Sequence, residues 1–88
     1  MLRITTETAC FEHTLRLEGR LAGPWVDELA RTWGQLRERD GGSFRVDLEG
    51  VTFVSQSGKS LLRRIHRDGG RFVAFGFMAR AIVEEIES

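Results

Sequence analysis

The chain has no net charge, a single cysteine and no long apolar run, and each shortage closes off a class of protein. Thirteen Lys and Arg balance thirteen Asp and Glu, so no overall field draws the chain to nucleic acid or to an anionic membrane. The lone Cys10 permits no internal disulfide, and an ordinary buried or half-buried thiol is expected there. No apolar stretch is long enough for a signal peptide or a membrane span, so the expected compartment is a reducing cytoplasm, without membrane insertion. His13 and His66 have no Cys, Asp or Glu at a metal-ligand spacing; both read as surface residues, and neither a metal nor a cofactor is expected. Paired carboxylates on a cleft and a Ser-His-Asp order are missing too, and so small a core leaves little room for a substrate pocket. A non-enzymatic protein with no catalytic residue is the expectation.

What is present belongs to a folded domain. Hydrophobic residues make up 41% of the chain and charged residues 30%, with six Phe and two Trp among them, unlike the composition of a disordered tail. Residues 1–88 suit one domain, near the lower size at which a working core can be buried.

Residues 2–7 (LRITTE) and 14–18 (TLRLE) alternate apolar with polar, which predicts two strands joined as a hairpin. Gly23-Pro24 marks a helix start, because Pro is tolerated in the first turn where its missing N–H has no partner anyway. Val26, Leu29, Ala30, Trp33 and Leu36 then share one face, and Gly41-Gly42 ends the helix. Phe44, Val46 and Leu48 alternate with Arg45, Asp47 and Glu49, predicting a strand with one buried face that breaks at Gly50. After the short apolar run of residues 51–54, Leu61, Leu62 and Ile65 resume helical spacing as far as Asp68-Gly69-Gly70. Residues 71–76 (RFVAFG) carry few polar groups and read as a central strand. Ala79, Ile82, Val83 and Ile86 give a last helix.

The order β-β-α-β-α-β-α predicts an α/β fold: a small mixed four-stranded sheet, antiparallel at one edge, with three helices mainly on one face.

Ser57-Gly58-Lys59-Ser60 matches the tail of a phosphate-binding loop, but the full signature needs a glycine five residues before Gly58 to make its sharp turn. Phe53 stands there. What survives is a helix start after a strand, read in two ways. Either Ser55 or Ser57 caps the helix and Lys59 is solvated, or the small residues and Lys59 hold an anion or a partner's carboxylate against free N–H groups.

Residues 47–62 (DLEGVTFVSQSGKSLL) resemble the STAS domain of bacterial anti-sigma-factor antagonists, in which D-L-x-x-V is followed by F-[IV]-D-[ST]-[ST]-G-L and a helix. Asp47, Leu48, Val51, Phe53, Val54, Ser57, Gly58 and Leu61 carry the match. Residues 15–33 resemble the family's second strand and first helix, and residues 71–76 its fourth strand.

The resemblance implies a regulatory module that docks a protein partner, an anti-sigma-factor kinase or an ATPase subunit, through residues 54–67. Ser55, Gln56, Ser57, Gly58, Lys59 and Arg63 would form the contact. It also implies a switch, since the family's loop carries a Ser or Thr that the partner kinase phosphorylates. Here the usual acceptor position holds Gln56, which has no hydroxyl, so Ser57 and Ser55 are the candidate phosphorylation sites. Gly58-Lys59 replaces the usual Gly-Leu, as in short STAS-like chains without the acceptor, and a terminal strand of longer members is expected to be missing. Such a small core makes a homodimer one expectation. The alternative is a small-ligand or anion-sensing STAS module, or an accessory subunit of a transport system.

Lys59, Arg63 and Arg67 recur at four-residue steps as a basic stripe, read either as a solvated face or as a dock for acidic groups. Trp25 is a candidate exposed anchor. Glu84, Glu85 and Glu87 stand near a helix C-terminus, where the macrodipole disfavours acids.

Overall fold

A computed structural model describes residues 1–10, 12–39, 42–73 and 77–87, for 77–79 and 87 in the backbone alone. Seven elements follow one another in the expected order: β1 (Leu2–Ala9), β2 (Glu12–Leu21), α1 (Pro24–Arg39), β3 (Ser43–Val54), α2 (Gln56–Arg67), β4 (Arg71–Val73) and α3 (Phe77–Glu87). β1 and β2 form the antiparallel hairpin, with Ile4 opposite Leu17. β2 runs parallel to β3, and β3 to β4, so α1 and α2 are the crossover connections.

The alternation within the strands decides which face is covered. In β2, Leu15, Leu17 and Leu21 are buried, and in β3 Val46 and Leu48 join them. Leu2 of β1, Val51 and Val54 of β3, Val26, Leu29 and Trp33 of α1, Leu61, Leu62 and Ile65 of α2, and Ile86 of α3 join this core. The intervening strand residues stay outside and pair with one another: Arg16 reaches Glu7 at 3.4 Å and Asp47 at 3.7 Å, and Arg45 reaches Glu12 at 3.0 Å. Ion pairs this exposed contribute little stability, about 0–1 kcal/mol each.

Several expectations need correction. Gly50 does not break β3. The strand continues to Val54 because β3 accommodates an extra residue against β2 between Arg16 and Glu18, and another between Gly19 and Arg20. Such bulges shift the side-chain parity without ending the pairing. Gly50 itself meets a packing demand, since a Cβ there would lie 2.8 Å from Cγ of Glu18.

β4 is an edge strand and not a central one, the sheet order being β1-β2-β3-β4. Its apolar character reflects Phe72, which is half-buried and packs against the core. The expected continuation through residues 74–76 lies outside the described residues.

His13 is buried, 5% exposed. Its ring stacks on Phe44 at 5.2 Å, and its Nδ1 shares a 3.1 Å hydrogen bond with the Thr8 hydroxyl. It belongs to the inward row of β2 with Leu15 and Leu17, so a polar residue type disguised a core position. Cys10 is exposed instead, in the turn after β1, with a φ of 55°. Trp25 is half-buried and packs on the core, so it is not a free anchor.

Candidate functional site

The start of α2 is built by the end of β3 and the cap that follows it. Ser55 is extended (φ −74°, ψ 172°) and occupies the N-cap. Its hydroxyl accepts the Gly58 N–H at 3.1 Å, and its carbonyl accepts the Lys59 N–H at 2.9 Å. Its own N–H donates to the carbonyl of Leu21 at 3.0 Å, which ties the loop to the end of β2. The Ser55 and Ser57 hydroxyls share a 3.1 Å hydrogen bond.

Ser55 is therefore the cap, as the capping reading of the sequence expects, whereas the solvated Lys59 of that reading is ion-paired to Glu85 instead. Ser55→Ala is expected to cost about 1 kcal/mol through the lost cap. In a thermal melt followed by circular dichroism this is a fall of roughly 4–8 °C.

The six predicted contact residues do not share one exposure. Gln56 and Ser57 are exposed, Ser55, Lys59 and Arg63 are half-buried, and Gly58 is buried. A Cβ on Gly58 would lie 2.9 Å from the Leu21 carbonyl oxygen and 3.0 Å from Cγ1 of Val54. The close approach that this glycine permits is thus between α2 and the ends of β2 and β3, inside the chain itself.

Lys59 is directed by the fold as well. Its Nζ reaches Glu85 Oε1 at 3.1 Å, with its side chain 22% exposed. The pair joins α2 to α3 and gives Glu85 a cation where the helix end alone would disfavour an acid. In the basic stripe only Arg67 is fully open, with Arg64 exposed beside it.

Two residues here lie outside the predicted contact set. Phe53 belongs to an apolar run in the sequence, yet it is 43% exposed. It sits opposite Arg20, whose guanidinium lies 4.8 Å from its ring centroid. The second bulge turns it outward: Val51 and Val54 are both buried at a three-residue step, where a regular strand would bury every second residue. That spacing is the signal that could have found it. Asp68 is the other, accepting from Trp33 Nε1 at 3.1 Å and pairing with Arg37 at 3.1 Å, which fastens the end of α2 to α1.

Among the described residues, no group of three or more His, Cys, Asp or Glu could hold a metal ion, and no helix is long and apolar enough to cross a membrane. At the start of α2 two side chains of the cap region, Gln56 and Ser57, are exposed, and two residues before the cap the ring of Phe53 is exposed on the open face of the sheet with Arg20.

No family model matches the sequence, and no curated protein matches it significantly. Solved structures do. An anti-sigma factor antagonist from Mycobacterium paratuberculosis superposes with a TM-score of 0.86 at 16% identity, covering 99% of this chain and 79% of that one. The anti-sigma factor antagonist SpoIIAA in its unphosphorylated form gives 0.66 at 17% identity, over 93% and 82% of the two chains. The STAS domain of an antisigma-factor antagonist from Rhodobacter sphaeroides gives 0.62 at 18% identity, over 85% and 86%. The chain has a STAS-domain fold.

Proposed function

We propose that this chain, with the fold of anti-sigma factor antagonists, is a non-enzymatic regulatory module that docks a protein partner through the start and outer face of α2. The observation that carries the reading is the pairing of an exposed, capped helix start at Gln56-Ser57 with the exposed ring of Phe53 two residues before the cap. An aromatic anchor beside a polar rim is the composition that concentrates binding energy in protein interfaces. Ser55, Gln56 and Ser57 form the rim, Arg63 and Arg67 extend it along α2, and Gly58 and Lys59 hold its shape. The partner class is an anti-sigma-factor kinase or an ATPase subunit of the cytoplasm.

Ser57 is the better placed of the two candidate phosphoacceptors. It is exposed, whereas the hydroxyl oxygen of Ser55 holds the Gly58 N–H. A phosphate adds nearly two negative charges and an obligatory hydration shell, which opposes docking of a closely fitting surface.

The test is capture of the partner from a lysate of the native cell with wild-type chain and with Ser57→Glu. An acid in the first helical turn favours the helix, so the variant is expected to melt no lower than wild type. The wild-type chain is expected to retain a protein with a nucleotide-binding kinase or ATPase domain, and the variant to lose most of it. Equal capture by both chains would remove the loop from the interface.

A further inference from the structure

β1 stands at the edge of the sheet and, among the described residues, is paired with β2 alone. The carbonyl of Met1 accepts the Arg20 N–H at 3.1 Å, and this sets the phase of the ladder. In an antiparallel pair, residues that exchange backbone bonds alternate with residues that do not. The odd-numbered residues of β1 thus turn their backbone groups toward β2, and Leu2, Ile4, Thr6 and Thr8 turn theirs outward.

An edge of this kind accepts another strand unless it is short, bulged, interrupted by Pro or guarded by an inward-pointing charge. β1 has none of these guards. It runs eight residues in unbroken register with β2, contains no Pro, and its inward row is Leu2, Ile4, Thr6 and Thr8. Its two charges, Arg3 and Glu7, are both exposed on the open face of the sheet and have opposite signs.

We propose that the occupant of this edge is a second copy of the chain, paired antiparallel through β1 about a two-fold axis at Thr5. Antiparallel self-pairing is isologous, so every contact is made twice. With the axis at Thr5, Arg3 of each copy faces Glu7 of the other at the closely spaced positions that exchange no backbone bonds. Ile4 then faces Thr6, and Leu2 faces Thr8, at the positions where the outward backbone groups meet, for about eight hydrogen bonds in all. Moving the axis to Thr6 would set Arg3 against Ala9 and leave both charges without a counterpart, so the charges select the first register.

The flank of the edge suits the same occupant. Ile4 and Trp25, both half-buried, line a shallow groove between β1 and α1, which the added strand would border. Glu7 already shares Arg16 with Asp47, so a second cation from the other copy is not redundant.

Sedimentation equilibrium of the purified full chain tests this, from low micromolar to millimolar concentration. Wild-type chain is expected to show a monomer–dimer equilibrium. Arg3→Glu and Glu7→Arg alone are each expected to weaken it roughly tenfold, because like charges then face each other twice. The double variant Arg3→Glu/Glu7→Arg is expected to restore it.

Thr6→Pro removes an outward N–H without touching the β2 ladder, and is expected to give a monomer; the charge variants decide the matter should this one fail to fold. A wild-type chain monomeric at millimolar concentration overturns the proposal. So does a dimer that survives Thr6→Pro or a double variant that does not recover. A monomer whose edge binds an extended peptide of another protein would also overturn it.

Discussion

Replacing Gly58 with valine is expected to lower the melting temperature by roughly 10–20 °C. On an exposed helix the exchange of glycine for valine is favourable by roughly 0.3 kcal/mol, and this position reverses that sign. A Cβ at residue 58 would lie 2.9 Å from the backbone oxygen of Leu21, 3.0 Å from Cγ1 of Val54 and 3.1 Å from Cγ of Leu21. The first of these belongs to a strand end that Ser55 N–H already holds at 3.0 Å, so it cannot withdraw without breaking the junction of β2, β3 and α2. Overpacking of a buried contact costs about 1–3 kcal/mol, and displacing the Gly58 N–H from the Ser55 hydroxyl adds the cap, about 1 kcal/mol more. A thermal melt measures the sum. A Gly58→Val chain that melts with wild type would mean that α2 does not seat against β2 as described.

Replacing Phe53 with alanine is expected to act the other way round, leaving the fold and removing the partner. The ring is 43% exposed, and its cross-strand neighbour Arg20 stands over it at 4.8 Å, a contact of about 0.5–1 kcal/mol at an exposed site. Stability should therefore fall by about 1 kcal/mol or less. Aromatic anchors at interface centres contribute about 2 kcal/mol or more on truncation, so affinity for the captured partner should fall roughly thirtyfold. Titration calorimetry with the purified partner measures it. Arg20→Ala, which leaves the ring in place, is expected to cost only a few fold. Unchanged affinity in Phe53→Ala would make the ring an ordinary surface residue.

The strand and helix order was legible because each segment announces its period: Leu15 and Leu17 step by two, while Leu61, Leu62 and Ile65 step by three and four. The cap was legible as well, Ser55 being a residue type that satisfies a free amide. What escaped depends on contacts between segments. The two bulges of β3 arise from its pairing with β2, and without them neither the continuation through Gly50 nor the outward turn of Phe53 can be read. His13 is of a mostly exposed type, and only its register beside Phe44 buries it.

Gly58 is the sharpest case. Sequence shows a small residue at a helix start and so an opening for something to approach; the thing that approaches is the chain's own Leu21. Lys59 likewise reads as a solvated cation until α3 brings Glu85 to it. Of the proposed contact residues Gln56 and Ser57 are exposed and Arg63 is half-buried, while Ser55, Gly58 and Lys59 make contacts within the chain that hold the helix start in position.

The most direct measurement is amide hydrogen exchange of the chain with and without its captured partner bound. Docking through the start of α2 should slow exchange over residues 53–67 and leave β1 as it is in the free chain. Unchanged exchange across residues 53–67, with protection at β1 or at the outer face of α1, would contradict it.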